Sequence, residues 1–196
     1  PEETNELPLK TIKKMSEVSR SLTMMNPFVK RGVKARISYV WGKGVQFDKT
    51  DAIQSQLDEN RGKLFTAQAY EELEMTAATD GNVFRAIPID NARNTFEEAT
   101  ALRIPLSQIT DAVSNPDDIE EIWYYKRTYG VRKTNPNTGA VETQEEHKFY
   151  PSLPYYEKLK RQGKGLPKRR GKVGIDQNYV IQHITVNRQV GWRWGV

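Results

Sequence analysis

The sequence predicts an α+β fold, with helices first and a mainly antiparallel, β-rich region after them. Two observations carry this. Up to residue 80, apolar residues recur at helical spacing. After Gly81 they come in short runs rich in β-branched and aromatic residues. Asp80-Gly81 is a strong turn signal at the change of grammar. The expected organisation is therefore a helical part over 1–80 and a β-rich part over 81–196.

The opening residues 1–6 are polar and acidic and read as a frayed end. Leu9, Ile12, Met15, Val18 and Leu22 then repeat with helical spacing. Asn26-Pro27 interrupts that run, since the residue before proline is pushed out of the helical region while proline suits a new first turn. A second helix over 28–41 places Val29, Val33, Ile37 and Val40 or Trp41 on one face, expected to pack on the sheet. Gly42 and Gly44 end it. A short helix is expected over 51–58. Thr66 is a candidate N-cap for a helix over 67–78, with Tyr70, Leu73 and Ala77 inward.

Strands are expected over 83–89, 101–106, 119–129 and 179–186, with a short return strand over 147–150. Trp123, Tyr125 and Tyr129 alternate along the third. Pro88 and Pro105 suit strand ends or bulges. Residues 135–139, Asn-Pro-Asn-Thr-Gly, form a loop tip.

Apolar residues make up 37% of the 196, below the usual fraction for globular domains, which suits a chain that shares surface with an assembly or carries solvated loops. There is no cysteine, so disulfides, thiol chemistry and cysteine zinc sites are excluded. No run approaches the ~18 apolar residues of a membrane span, and no membrane partner is expected. The sequence opens on Pro1 and closes on Gly195-Val196 without a stop signal, and reads as a fragment of a longer chain.

The net charge of +5 is unevenly spread. Residues 158–172 hold eight Lys or Arg and no acid; the rest of the chain has 22 basic and 25 acidic residues. The basicity reads as one local segment rather than a basic surface. Lys158, Lys160, Arg161, Lys164, Lys168, Arg169, Arg170 and Lys172 are the candidate contacts to nucleic acid or a partner. The stretch has three glycines, a proline and no aromatic residue, so a flexible solvated loop is the simpler expectation and base stacking is absent.

Other motifs are weaker. Asp111, Asp117, Asp118, Glu120 and Glu121 could suggest a Mg²⁺ site, but Asn115-Pro116-Asp117-Asp118 is ordinary turn chemistry. His147 and His183 stand 36 residues apart without a metal-binding spacing, and His183 reads as a hydrogen-bonded strand histidine. No Walker loop, Rossmann glycine fingerprint or nucleophile elbow occurs, so no catalytic residue, metal or cofactor is expected and the chain is not read as an enzyme. Trp192-Arg193-Trp194 could clamp a partner, but packing at the chain end is favoured.

Several pieces, taken together, resemble the portal proteins of tailed bacteriophages. They are Asn26-Pro27-Phe28-Val29-Lys30-Arg31-Gly32-Val33, Tyr39-Val40-Trp41-Gly42-Lys43-Gly44-Val45, and Thr79-Asp80-Gly81-Asn82-Val83-Phe84. Further along come Arg103-Ile104-Pro105-Leu106, the run from Asn115 to Arg127, Phe149-Tyr150-Pro151, Ile181-Gln182-His183 and the Gly191–Val196 end. Their order over roughly residues 20–196 carries the resemblance, because no single piece is specific.

The resemblance implies an N-terminal and wing portion of a subunit that forms a closed ring, commonly a dodecamer, at one capsid vertex. It implies the terminase, capsid and head–tail connector proteins as partners, and double-stranded DNA passing through the full-length channel. It places the protein in the virion, and in the bacterial host cytoplasm during assembly. A nucleic-acid-binding module using residues 158–172 is the alternative expectation, and a metal nuclease a third.

Overall fold

The computed structural model describes residues 6–42, 66–89, 101–134 and 140–195. The architecture is α+β, with N-terminal helices followed by a β region of antiparallel sheets. The helix expected over 51–58, the loop tip at 135–139, and Gly44 lie outside the described residues.

Helix α1 spans Leu9–Met25 and α2 spans Pro27–Trp41. Between them Asn26 is extended, and its side chain caps α2 by accepting from the Phe28 and Val29 N–H groups. Pro27 fills the first helical position, where its missing N–H costs nothing. Helix α3 spans Ala67–Asp80; Thr66 caps its start through the Ala69 N–H at 3.1 Å. Gly81 closes it in the left-handed region at φ 64°, which glycine reaches without a Cβ penalty.

Strand β1 (Asn82–Pro88) leaves that turn and is the centre of the first sheet. It pairs antiparallel with β2 (Leu102–Ile104) on one side and with β8 (Tyr179–Thr185) on the other. The second sheet runs β3 (Ile109–Ser114), β4 (Ile122–Thr134), β5 (Val141–Pro151), all antiparallel. Helix α4 (Leu153–Arg161) follows, then a small hairpin of β6 (Arg169–Arg170) and β7 (Val173–Gly174). Single parallel bridges, Ser152 with Ile181 and Phe149 with Ile175, tie the end of β5 to β8 and to the residue after β7.

One core lies between the sheets: Phe84, Ala86, Ile104, Ile109, Tyr125, Ile181 and Trp194 all belong to it, joined by Ile12 from α1. Tyr124, next to Tyr125 in the chain, points the opposite way into a smaller cluster with Phe149 and Ile175. Strand β4 is thus covered on both faces at its start and exposed toward Thr134.

The structure departs from several sequence expectations. The apolar side of α2 does not pack on the sheet. No residue of α2 is buried; Val33 and Ile37 are only half-covered, and the helix leans on α3 and α1. Trp41 stacks on Tyr70 with ring centroids 4.6 Å apart and donates to Glu74 at 3.2 Å, while Arg36 pairs with the same carboxylate. Helix α1 is rotated from its expected pose. It buries Ile12, Ser16 and Thr23, while Met15, Val18 and Leu22 stay 42–52% exposed. Asp80 explains the rotation. Its buried carboxylate accepts from Ser16 at 2.7 Å and from the Arg20 fork, which draws the polar side of α1 inward.

Glu6 is not frayed, since its buried carboxylate accepts from the Arg193 backbone N–H and Nε. The return strand is eleven residues long rather than four. Strand β3 and helix α4 were not expected. Gly42 ends α2 in an ordinary right-handed conformation.

Candidate functional site

The basic segment starts inside a helix. Ser152 caps α4 by accepting from the Tyr155 N–H, and Pro154 occupies the first turn. Leu159 is the buried anchor of α4. Lys158, Lys160 and Arg161 therefore stand in its last turn, where cations complement the carbonyl end of the helix dipole.

Beyond α4 the chain turns at Gly163, φ 67°, with Lys164 N–H bonded back to the Leu159 carbonyl at 2.9 Å. Lys168 precedes β6, Arg169 and Arg170 form it, and Lys172 sits in the Gly171 turn to β7. The Ile175 N–H donates to the Lys168 carbonyl at 2.9 Å, and Gln177 Nε2 donates to the Pro167 carbonyl at 3.0 Å. The expected loop is thus a helix end, a turn and a short hairpin, pinned by backbone bonds.

All eight candidate cations are exposed. Lys158 pairs with Glu121 at 2.5 Å, and Arg161 faces Glu157 at 3.8 Å on the same helix. The Lys158 ammonium and the Asn115 amide hold the Glu121 carboxyl below the usual carboxylate range. The Arg170 guanidinium lies 5.8 Å from the Tyr124 ring centroid. Among the described residues, Lys160, Lys164, Lys168, Arg169 and Lys172 carry no ion pair. The segment thus carries exposed cations on a helix end, a turn and a short hairpin, suited to phosphates or carboxylates through charge and without a base-stacking platform.

The acidic residues do not converge. Asp117 N–H and Glu120 N–H are held by the Asn115 and Asp118 side chains at 3.1 and 3.0 Å, the turn chemistry expected. Glu120 accepts from Arg188 and from the Gly191 N–H, while Asp111 accepts from the Ala112 N–H. Among the described residues no group of three or more His, Cys, Asp or Glu could hold a metal ion.

His183 is the hydrogen-bonded histidine expected of its strand. Asn82 Nδ2 donates to the Asp80 and Gly195 carbonyls, so its Oδ1 is the acceptor for His183 Nε2 at 2.9 Å. The other ring nitrogen then accepts from the Tyr125 hydroxyl at 2.9 Å. Phe84 stacks on the imidazole at 4.3 Å between centroids, and Trp194 flanks it at 5.8 Å. Burial pushes His183 down to about 3 and the Tyr125 hydroxyl up. This neutral, enclosed network is a fold element. His147 lies apart on β5, its Nδ1 2.9 Å from the Thr128 hydroxyl.

The Trp192-Arg193-Trp194 segment packs as expected. Trp194 is 2% exposed and meets Phe84 edge-on, and the Arg193 guanidinium sits 5.9 Å over its ring.

Basicity is not confined to 158–172. Residues 9–41 hold eight Lys or Arg and one acid, Glu17, on α1 and α2. Element-by-element counting of charge would have found this; a single window hid it. The sequence matches no protein-family model and no curated protein.

Proposed function

We propose that this chain is the N-terminal and wing part of a phage portal subunit, a structural protein whose full-length form closes into a ring, commonly a dodecamer, at the capsid vertex. One observation carries the reading: five of the quoted portal-like pieces fall, in order, at the joints and core strands of the fold. Asn26-Pro27 starts α2, Asp80-Gly81 turns α3 into β1, and Asn115 to Asp118 turns β3 into β4. Phe149-Tyr150-Pro151 ends β5, and Ile181-Gln182-His183 lies in β8. Ordered punctuation of this kind is what a shared topology preserves when side chains drift. Terminase, capsid and connector proteins are the partners this reading implies, and double-stranded DNA the cargo.

The test is mass. Light scattering and negative-stain microscopy on the full-length protein should show a closed ring, and the chain of 196 residues should be monomeric or weakly associated. A full-length protein that stays monomeric under assembly conditions sinks the reading. Hydrolysis of DNA or nucleotides is not expected. Metal-dependent cleavage lost in Asp117→Ala or Asp118→Ala would reverse that.

A second reading is favoured by the five cations from α4 to β7 that carry no ion pair among the described residues, namely a module binding nucleic acid through its phosphates. It expects DNA affinity that falls steeply with salt and weakens in an Arg169→Ser/Lys172→Ser variant. Flat salt dependence would remove it.

A further inference from the structure

We propose that the outward apolar stripe of α1 is a docking seam for an acidic amphipathic helix of a partner protein. Helix α1 spends its polar side on the body of the fold, through Ser16 and Arg20 on Asp80. Its apolar side is left outward: Met15 is 42% exposed, Val18 and Leu22 52%, and Met25 82%. These four follow the i, i+3, i+7, i+10 spacing of a coiled-coil seam. Phe28, three residues on and in the first turn of α2, is 84% exposed. Two of the four are methionines, whose unbranched side chains adapt to a second surface.

Charge selects the partner. Lys10 and Lys14 share α1 with the stripe, and Lys30, Arg31 and Lys34 stand on α2 beyond Phe28. Among the described residues none of the five has an ion pair. A partner helix with apolar seam positions and Glu or Asp on its flanks would cover the stripe and meet these cations.

A second copy of this chain fits less well. Two α1 helices paired through the stripe would set Lys10 and Lys14 against a copy whose own flank offers one acid, Glu17. Six of the chain's 25 acids, Glu6, Asp80, Glu74, Glu120, Glu121 and Asp176, are already paired within the fold. A phosphate backbone would engage the cations and leave the apolar stripe in water. A membrane surface calls for a broad apolar face, whereas Thr11, Lys14 and Ser21 border this stripe closely.

The inference does not rest on the portal reading, since docking and ring formation are read by different measurements. The probe is a labelled synthetic helix of about four heptads with Leu at the seam and Glu on its flanks, titrated by fluorescence anisotropy. Saturable binding is expected, weakened by salt and by Lys14→Glu, and absent for the same peptide with Lys flanks. Val18→Ser/Leu22→Ser, with unchanged circular dichroism and melting, should weaken binding at least about tenfold. Failure of the acidic peptide to bind, or equal binding to the double variant, overturns the inference. So does self-association that the double variant abolishes, or attachment to phosphatidylserine vesicles without peptide binding. Either of those would reassign the stripe to a second copy or to a membrane.

Discussion

Single residues settle how the elements meet. Asp80 ends α3 and holds Ser16, Arg20 and the Thr79 hydroxyl, with its side chain almost fully buried. Asp80→Ala leaves the buried Ser16 hydroxyl without its acceptor and Arg20 without its counter-ion, and should cost about 1–3 kcal/mol in urea unfolding. A near-neutral result would mean that Arg20, 41% exposed, is satisfied by solvent and that α1 is posed by Ile12 instead. His183 works by remaining neutral. Its pKa is lowered to about 3 in the fold against an ordinary value of 6.5. The unfolded chain therefore binds the extra proton first, and the contribution is whole above about pH 6.5 and lost progressively as pH falls toward about 3. Stability of the native chain should decline across that window by up to about 1.4 kcal/mol per pH unit more than that of His183→Gln. Parallel pH profiles for the two proteins would remove His183 as the cause. Gly195 is required by space: a Cβ there would collide with the Gly81 carbonyl oxygen and the Val186 backbone.

At the scale of elements, helical periodicity located α1 and α2 but not their faces. Ile12 is 2% exposed within the main core, whereas Ile37 is half-covered. Ile12→Ala should cost about 2–5 kcal/mol, and Ile37→Ala distinctly less, near 1 kcal/mol, as cavity costs scale with burial. Equal losses in chemical denaturation would place α2 deeper than its surface suggests. The basic segment behaves as structure as well. Deleting 158–172 removes buried Leu159, the Ile175 bond to Lys168 and the β6–β7 pair. The melting temperature should then fall by several degrees, at ~2–4 °C per kcal/mol for a domain of this size. An unchanged melting temperature would restore the solvated loop. The β4–β5 hairpin was legible only at its inner end, because Val141 to Glu145 are exposed and carry little apolar alternation. Those charged positions also blunt the free edge of β5 against pairing with other sheets.

The whole molecule joins a helical layer, posed by Asp80 and Glu74, to a β region through the larger of its two cores, which Ile12 enters. Cationic α1 and α2 lie on α3, whose sequence has four acids and no base. Among the described residues, exposed cations without an ion pair cluster on the α1–α2 pair and on the α4–β7 segment. On the portal proposal, a ring of such subunits would need a contact whose rotation closes. Salt titration of the chain's sedimentation should show no dissociating oligomer if it is monomeric. A salt-labile dimer would locate a subunit contact on one of the cationic surfaces.

The α+β class, the Asn26-Pro27 and Asp80-Gly81 joints, the Thr66 cap and the strands around Phe84, Tyr125 and Ile181 were determined by sequence alone. Each rests on local chemistry: a cap, a turn or a period of two, all written within a few residues of chain. Only the tertiary structure decided that α1 turns its polar side inward, that Tyr124 and Tyr125 serve two separate cores, and that Asn82, His183 and Gly195 share one network. Those depend on groups more than 50 residues apart in the chain, Ser16 with Asp80, Tyr125 with His183, Asn82 with Gly195. A periodicity reading assigns apolar residues to the core by default. A buried carboxylate that must be satisfied overrides that default, because leaving it unpaired costs more than exposing Val18 and Leu22.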